Sequence, residues 1–211
     1  QRWEVEDEGE VTDLLNIEIS RQGASVTLRQ TGYITKLARE WFPQGPPANI
    51  QLRSVPHPED IRELVIHATS EGAPPPDQTL INDYRKLVGA LLYAATSTRP
   101  DIAYATSMLC RAMSKPTDLL MTAALRVLAY LSRHKHVGLR YTPCAQPLEG
   151  FADADWAVRH SQSGFLFRLG RAAVSWGSKK QVSVALSTCE AEIMAASEAA
   201  KEAVQLRALY N

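Results

Sequence analysis

Asp153 and Asp155 lie at the end of a predicted strand. Residues two apart in a strand share a face, so these carboxylates could converge on one cation; the alternative is a solvated turn. Further on, Glu190 and Glu192 open a predicted helix, separated by about 200° around its axis. Ser187-Thr188-Cys189-Glu190 fits an S-x-x-E capping box, which commits Glu190 to a backbone N–H. Glu192 instead heads a stripe through Ala196, Ala199, Ala203 and Leu206, small side chains that would let the helix lie close on a sheet. A strand Asp facing a helix Glu suits magnesium or manganese, which take oxygen ligands and can activate water for phosphodiester attack. Asp153 and Glu192 are therefore the candidate catalytic and metal-binding pair, with Asp155 a secondary metal candidate. Two carboxylates are too few to neutralise a pair of divalent ions.

The elements that must position these residues can be read from periodicity. Leu14 to Ile19 and Ala24 to Leu28 flank Arg21-Gln22-Gly23 as a β-hairpin, and Tyr33, Ile34, Leu37 and Trp41 recur at helical spacing. Residues 43–81, with Pro46, Pro47, Pro56, Pro58 and Pro74-Pro75-Pro76, read as a linker or surface strap with little core of its own. Tyr84, Leu87, Val88, Leu91, Leu92 and Ala95 predict a helix over 82–96. Thr98-Arg99-Pro100-Asp101 restarts the chain into a helix running to about Met113, and Ser114-Lys115-Pro116-Thr117-Asp118 opens a third, expected to end near Gly138. Short strands follow at 138–142, 148–153, 164–169 and 172–177, then an Ala-rich helix over 188–208. The fold class is α+β: hairpin and helix (1–42), linker (43–81), three-helix bundle (82–137), then a β-meander plus helix (138–211).

The 211 residues, 45% of them hydrophobic, can bury one large core or two small ones. The formal charge of zero hides an asymmetry: residues 1–81 hold seven Lys/Arg against thirteen Asp/Glu, and residues 82–143 nine against three. No apolar run reaches the roughly 18 residues of a membrane span, and the first residues lack a signal-peptide pattern, so a soluble intracellular setting without a membrane partner is expected. Cys110, Cys144 and Cys189 are odd in number and widely spaced, which predicts reduced thiols rather than a disulfide framework or zinc site. Trp156 and Trp176 read as core aromatics rather than base-stacking platforms, and His160 as a surface residue. Arg126, Arg133, His134, Lys135 and His136 cluster where cations also offset a helix dipole.

Five blocks in order, Asp83-Tyr84-Arg85-Lys86-Leu87-Val88-Gly89, Thr98-Arg99-Pro100-Asp101-Ile102-Ala103, Phe151-Ala152-Asp153-Ala154-Asp155-Trp156-Ala157, Ser175-Trp176-Gly177-Ser178-Lys179-Lys180-Gln181 and Ala185-Leu186-Ser187-Thr188-Cys189-Glu190-Ala191-Glu192, resemble signature blocks of copia-type LTR retrotransposon Pol proteins. The resemblance covers nearly the whole chain, since Val5 to Ile19 is similar to the segment after the polymerase's catalytic strand turn. It implies that 82–137 is a reverse-transcriptase thumb and 138–211 the first part of a ribonuclease H-like domain, with Asp153 as the first catalytic Asp and Glu192 as the catalytic Glu. It further implies phosphate contacts by Arg85, Lys86, Arg111, Lys115 and Arg126, magnesium (or manganese) as cofactor of the complete domain, and an RNA–DNA hybrid or template–primer duplex plus the remainder of the Pol polyprotein as partners. Three departures stand out: Asn16 sits where the family favours Gly, Cys189 where it favours Thr, and the stretch Ala157 to Ser161 is shorter than usual. The polymerase's aspartate pair and the later ribonuclease H carboxylates lie outside this sequence, so the chain alone is expected to be inactive. Competing readings are an inert nucleic-acid-binding or structural remnant of a degenerate element, and a carboxylate-pair hydrolase such as a glycosidase.

Overall fold

The computed structural model describes residues 9–47, 50, 54–72, 75–157 and 161–210. Its elements are β1 (Asp13–Leu14), β2 (Ile17–Gln22), β3 (Ser25–Arg29), α1 (Thr31–Trp41), α2 (Ile61–Thr69), α3 (Gln78–Ser97), a 3-10 turn (Pro100–Ile102), α4 (Ala103–Cys110), α5 (Asp118–Arg133), β4 (Leu139–Tyr141), β5 (Leu148–Asp155), β6 (Gln162–Leu169), β7 (Ala172–Lys180) and α6 (Thr188–Tyr210). They form a mixed α and β architecture with two antiparallel sheets, ordered β1-β2-β3-β4 and β5-β6-β7.

Helices α1 to α5 share one apolar core. Most of the stripe expected on α3 is what the core takes: Tyr84, Leu87, Val88 and Leu91 are fully buried and Ala95 nearly so, whereas Leu92 is exposed; each buried aliphatic side chain stabilises by about 1.5–3 kcal/mol. Asp77 caps this helix by accepting from the Thr79 N–H at 3.0 Å, and Thr117 caps α5 through the Leu120 N–H at 3.3 Å. The stretch read as a linker is corrected here. It contains α2, whose Ile61, Val65 and Ala68 are buried in the same core. The i, i+4, i+7 spacing was present, but the prolines on either side bound the helix rather than exclude it.

Three boundaries also differ from expectation. The first strand is broken at Leu15 and Asn16, both with left-handed backbone (φ 54° and 63°), so β1 and β2 form a tight hairpin of their own. Asn is among the few residues that tolerate left-handed backbone, which suits Asn16 to this turn. The third helix ends at Arg133 rather than near Gly138. Gly138 instead lets the chain pass over β3: a Cβ there would sit 2.2 Å from the Leu28 carbonyl oxygen. Strand β4 leaves the meander and pairs with β3, setting Val26 opposite Tyr141 and Thr27 opposite Arg140, because β3 offers an open edge to a chain arriving from the end of α5.

The Thr98-Arg99-Pro100-Asp101 block serves as a structural lock. Arg99 is 0% exposed, donates to both carboxylate oxygens of Asp101 (2.9 and 2.7 Å) and to the His134 carbonyl (3.0 Å), and lies over the Tyr130 ring. The Tyr130 hydroxyl completes the network at 2.9 Å from Asp101, and Thr98 donates to buried Gln30 at 2.8 Å. Burial works against the Asp101 charge, but the hydrogen bonds and charge of Arg99, joined by Tyr130, outweigh it and hold the carboxyl below the usual carboxylate range. A carboxyl with a lowered folded-state pKa lends stability that is full above its unfolded pKa and is lost as pH falls through the lowered value. Arg99→Met is expected to cost about 3–5 kcal/mol in chemical denaturation, since it leaves a partly buried carboxylate without its cation, held only by the Tyr130 hydroxyl. Asp101→Asn should be less stable than the parent chain at neutral pH and lose less on acidification; equal acid sensitivity of the two would remove Asp101 from this role.

Candidate functional site

Strand pairing settles which way each candidate carboxylate points. Asp153 is opposite Gly164 and Asp155 opposite Gln162, so these residues share one face of the second sheet with Leu166, Trp176 and Ser178. That face turns toward the helical unit. The Trp176 indole donates to the Ala95 carbonyl at 2.7 Å, and Gln162 Nε2 donates to Ser107 and Ser178 at 2.8 and 2.9 Å. The opposite face is covered by α6, where Ser175 donates to Glu202 at 2.6 Å and Gln181 Nε2 reaches Ser163 Oγ and the Ala191 carbonyl, both at 2.9 Å.

Asp153 is therefore directed away from the layer that carries Glu192. The stripe expected on α6 is corrected in its first turns: Glu192 and Ala196 are exposed and Ala191 and Ala195 are buried instead, while Ala199 is buried as expected and Ala203 and Leu206 are half-buried. Glu190 does the local work expected of it. Ser187 Oγ accepts from the Glu190 N–H at 3.1 Å, and the Glu190 carboxylate accepts from the Leu186 N–H at 2.7 Å.

Asp155 is the more engaged of the strand aspartates. Arg62 of α2 forms an ion pair with its carboxylate and also donates to the Asp155 and Trp156 carbonyls at 3.3 and 3.2 Å. Tyr104 of α4 donates to the same carboxylate at 3.1 Å, with the His57 ring packed beside it. Neither Arg62 nor Tyr104 was anticipated. Arg62 lies in the proline-rich stretch, and the helix that carries it across is visible only once that stretch is folded. Asp153 and Asp155 both line a cleft of about 330 Å³ whose walls include Tyr104, Phe151, Leu166 and Trp176. A magnesium ion requires an octahedron of oxygens. Among the described residues no group of three or more Asp, Glu, His or Cys gathers where an ion could sit, and Asp155 already faces a guanidinium. Among the described residues, the donors at this cleft do not make up an octahedral oxygen set.

The five basic candidates divide by what they touch. Arg85 donates to the Met113 carbonyl at 2.9 Å, tying α3 to the end of α4, and Lys86 pairs with Glu40 of α1. Arg111 is half-buried, with burial and the nearby Arg62 charge lowering its pKa, and contacts the Met108 sulfur at 3.5 Å. Lys115 is exposed, and Arg126 is partly buried on α5. Trp156, 39% exposed, donates to the Ala185 carbonyl at 3.2 Å. His160 and most of the shortened loop lie outside the described residues. All three cysteines are free, Cys110 half-buried and Cys144 and Cys189 exposed, and no described helix is long and apolar enough to cross a membrane.

Burial raises the Tyr104 pKa, and the charge and hydrogen bond of Asp155 raise it further. Asp155→Asn is accordingly expected to lower the Tyr104 titration midpoint toward that of an ordinary phenol, as followed by NMR of the ring. An unchanged midpoint would show that the Asp155 hydrogen bond is not formed in solution.

No family model and no solved structure matches the chain. It is 46% identical over 128 residues to the secreted RxLR effector protein 161 of Plasmopara viticola, covering 58% of this chain and 90% of that protein. It is 32% identical over 205 residues to an uncharacterized mitochondrial protein of Arabidopsis thaliana, covering 95% of this chain and 80% of that protein. The retrovirus-related Pol polyprotein from transposon RE1 of Arabidopsis thaliana is 32% identical over 208 residues, 96% of this chain but 13% of the polyprotein's length. Its similarity, at 32–40% identity, to several retrovirus-related Pol polyproteins from plant transposons identifies the chain as a copia-type Pol polyprotein fragment, corresponding to 10–13% of the length of those polyproteins.

Proposed function

We propose that this chain is the part of a Pol polyprotein in which a reverse-transcriptase thumb passes into a ribonuclease H-like domain. In this reading it holds an RNA–DNA hybrid or template–primer duplex but does not cleave it unaided. The observation that carries the reading is the placement of Asp153: the sheet face bearing it is tied to α3 through Trp176 and to α4 through Gln162 and Asp155, so in this reading a duplex gripped by the helical unit continues along that face. Of the five basic candidates Arg85, Lys86 and Lys115 are exposed, Arg85 being engaged by the Met113 carbonyl and Lys86 by Glu40. Phosphate contacts of this kind position a duplex without reading its sequence.

The hold of Arg62 on Asp155, and the lack of a gathered donor set among the described residues, support inactivity of the chain by itself and equally suit an inert remnant that only binds. Cleavage separates the two from an active nuclease. The isolated chain is expected to bind magnesium weakly and to leave a labelled RNA–DNA hybrid intact. Robust magnesium-dependent cleavage, abolished by Asp153→Asn, would overturn this. Binding to the hybrid should weaken steeply with salt, because neutralised phosphates release counterions. The double variant Lys86→Gln/Lys115→Gln should flatten the log–log salt slope by roughly one for each phosphate left without its cation. An unaltered slope would remove the thumb reading's functional content.

A further inference from the structure

Three arginines line a second cleft of about 400 Å³, on the same seam as the Asp153 cleft and sharing Pro100 and Leu166 with it. They arrive from separate parts of the chain. Arg140 comes on β4, which is drawn against β7 where the Tyr141 hydroxyl donates to the Ala173 carbonyl at 2.6 Å. Arg168 stands on β6, and Arg171 follows Gly170, whose left-handed backbone (φ 62°) makes the β6–β7 turn.

Their charges are not balanced locally. Arg168 is paired with Glu149 at 2.7 Å and lies over the Phe151 ring. The one carboxylate in the cleft wall, Asp101, is already held by Arg99. Among the described residues, Arg140 and Arg171 have no ion-pair partner, and both are exposed. Gathering like charges at one cleft is unfavourable unless an anion relieves it, and the guanidinium fork matches phosphate oxygens two at a time.

We propose that Arg140 and Arg171, with Arg168 beside them, bind phosphate groups of a nucleic-acid backbone that continues along the seam from Asp153. The proposal rests on the reading of the chain as a nucleic-acid-handling piece of Pol. Arg168 is four residues along β6 from Gly164, the partner of Asp153, a span of about 13 Å. An extended strand, rather than a free anion, suits two clefts that lie side by side with Pro100 and Leu166 in the wall of both.

The test is a fluorescence-anisotropy titration of a labelled RNA–DNA hybrid over a range of salt concentrations. It compares the parent chain, Arg140→Gln/Arg171→Gln, the charge-retaining Arg140→Lys/Arg171→Lys, and Lys86→Gln/Lys115→Gln. Inorganic phosphate is titrated separately, with thermal unfolding as the readout. The glutamine pair is expected to lower the salt slope by about 1.8, the value for two phosphates, and to weaken binding on the order of tenfold at low salt. The lysine pair should keep the slope and lose only part of the affinity. A change in the Lys86/Lys115 variant with none in the arginine variants overturns the seam site and leaves the thumb reading standing. The reverse pattern keeps the seam site and sinks the thumb. Hybrid binding unaltered in every variant overturns both. If inorganic phosphate raises the melting temperature of the parent chain but not of the glutamine pair, while hybrid binding is alike in both, the cleft holds a free oxyanion and the backbone assignment fails.

Discussion

The buried guanidinium of Arg99 is the interaction on which the rest of the architecture depends. It ties together the turn between α3 and α4, the end of α5, and through α5 the start of β4. A buried cation is tolerated only when its donors are paired, and here Asp101 and the His134 carbonyl pair them while the Tyr130 ring covers the remaining face. Pro100, adjacent to this lock, forms part of the wall of both clefts on the seam. Moving that turn would alter the Asp153 cleft and the arginine cleft together.

The helical unit and the strand meander are joined by different physics. Within α1 to α5 the packing is apolar and buried, from Ile34 through Leu131. Across the seam the ties are hydrogen bonds and one ion pair: Trp176 to Ala95, Gln162 to Ser107, Tyr141 to Ala173, and Arg62 with Tyr104 on Asp155. Hydrogen bonds contribute about 0.5–1.5 kcal/mol each, but they fix direction in a way that apolar packing does not. The seam is thus a positioning surface, and the sheet face bearing Asp153 is oriented by side chains anchored in the helical core.

Much of the signature pattern proves to be scaffold. Tyr84 donates to the Leu109 carbonyl at 2.9 Å, Arg85 to the Met113 carbonyl, Trp176 to the Ala95 carbonyl and Gln181 to the Ala191 carbonyl. These side chains satisfy backbone oxygens at helix ends and between layers, where an unpaired group is costly. Family-level recognition by such blocks therefore reports how the pieces are held together at least as much as what they do.

The hairpin, the helices α3, α5 and α6 and the three strands of the meander were legible in the sequence because each carries its own period and its own stop signals: the Leu87-Val88-Leu91 stripe, the Thr117 and Ser187 caps, the Gly170 turn. The capping role of Glu190 was legible for the same reason, being an interaction within four residues. Helix α2 was not, since flanking prolines masked a short period whose apolar face needs α4 and α5 to bury it. Nor could local pattern decide the face that the first turns of α6 set against the sheet, because an alanine-rich helix offers several nearly equivalent stripes. The pairing of Asp155 with Arg62, and the meeting of Arg140 with Arg168 and Arg171, join residues far apart along the chain. Sequence determined the chemistry available at each position; tertiary packing alone decided which charges would face one another.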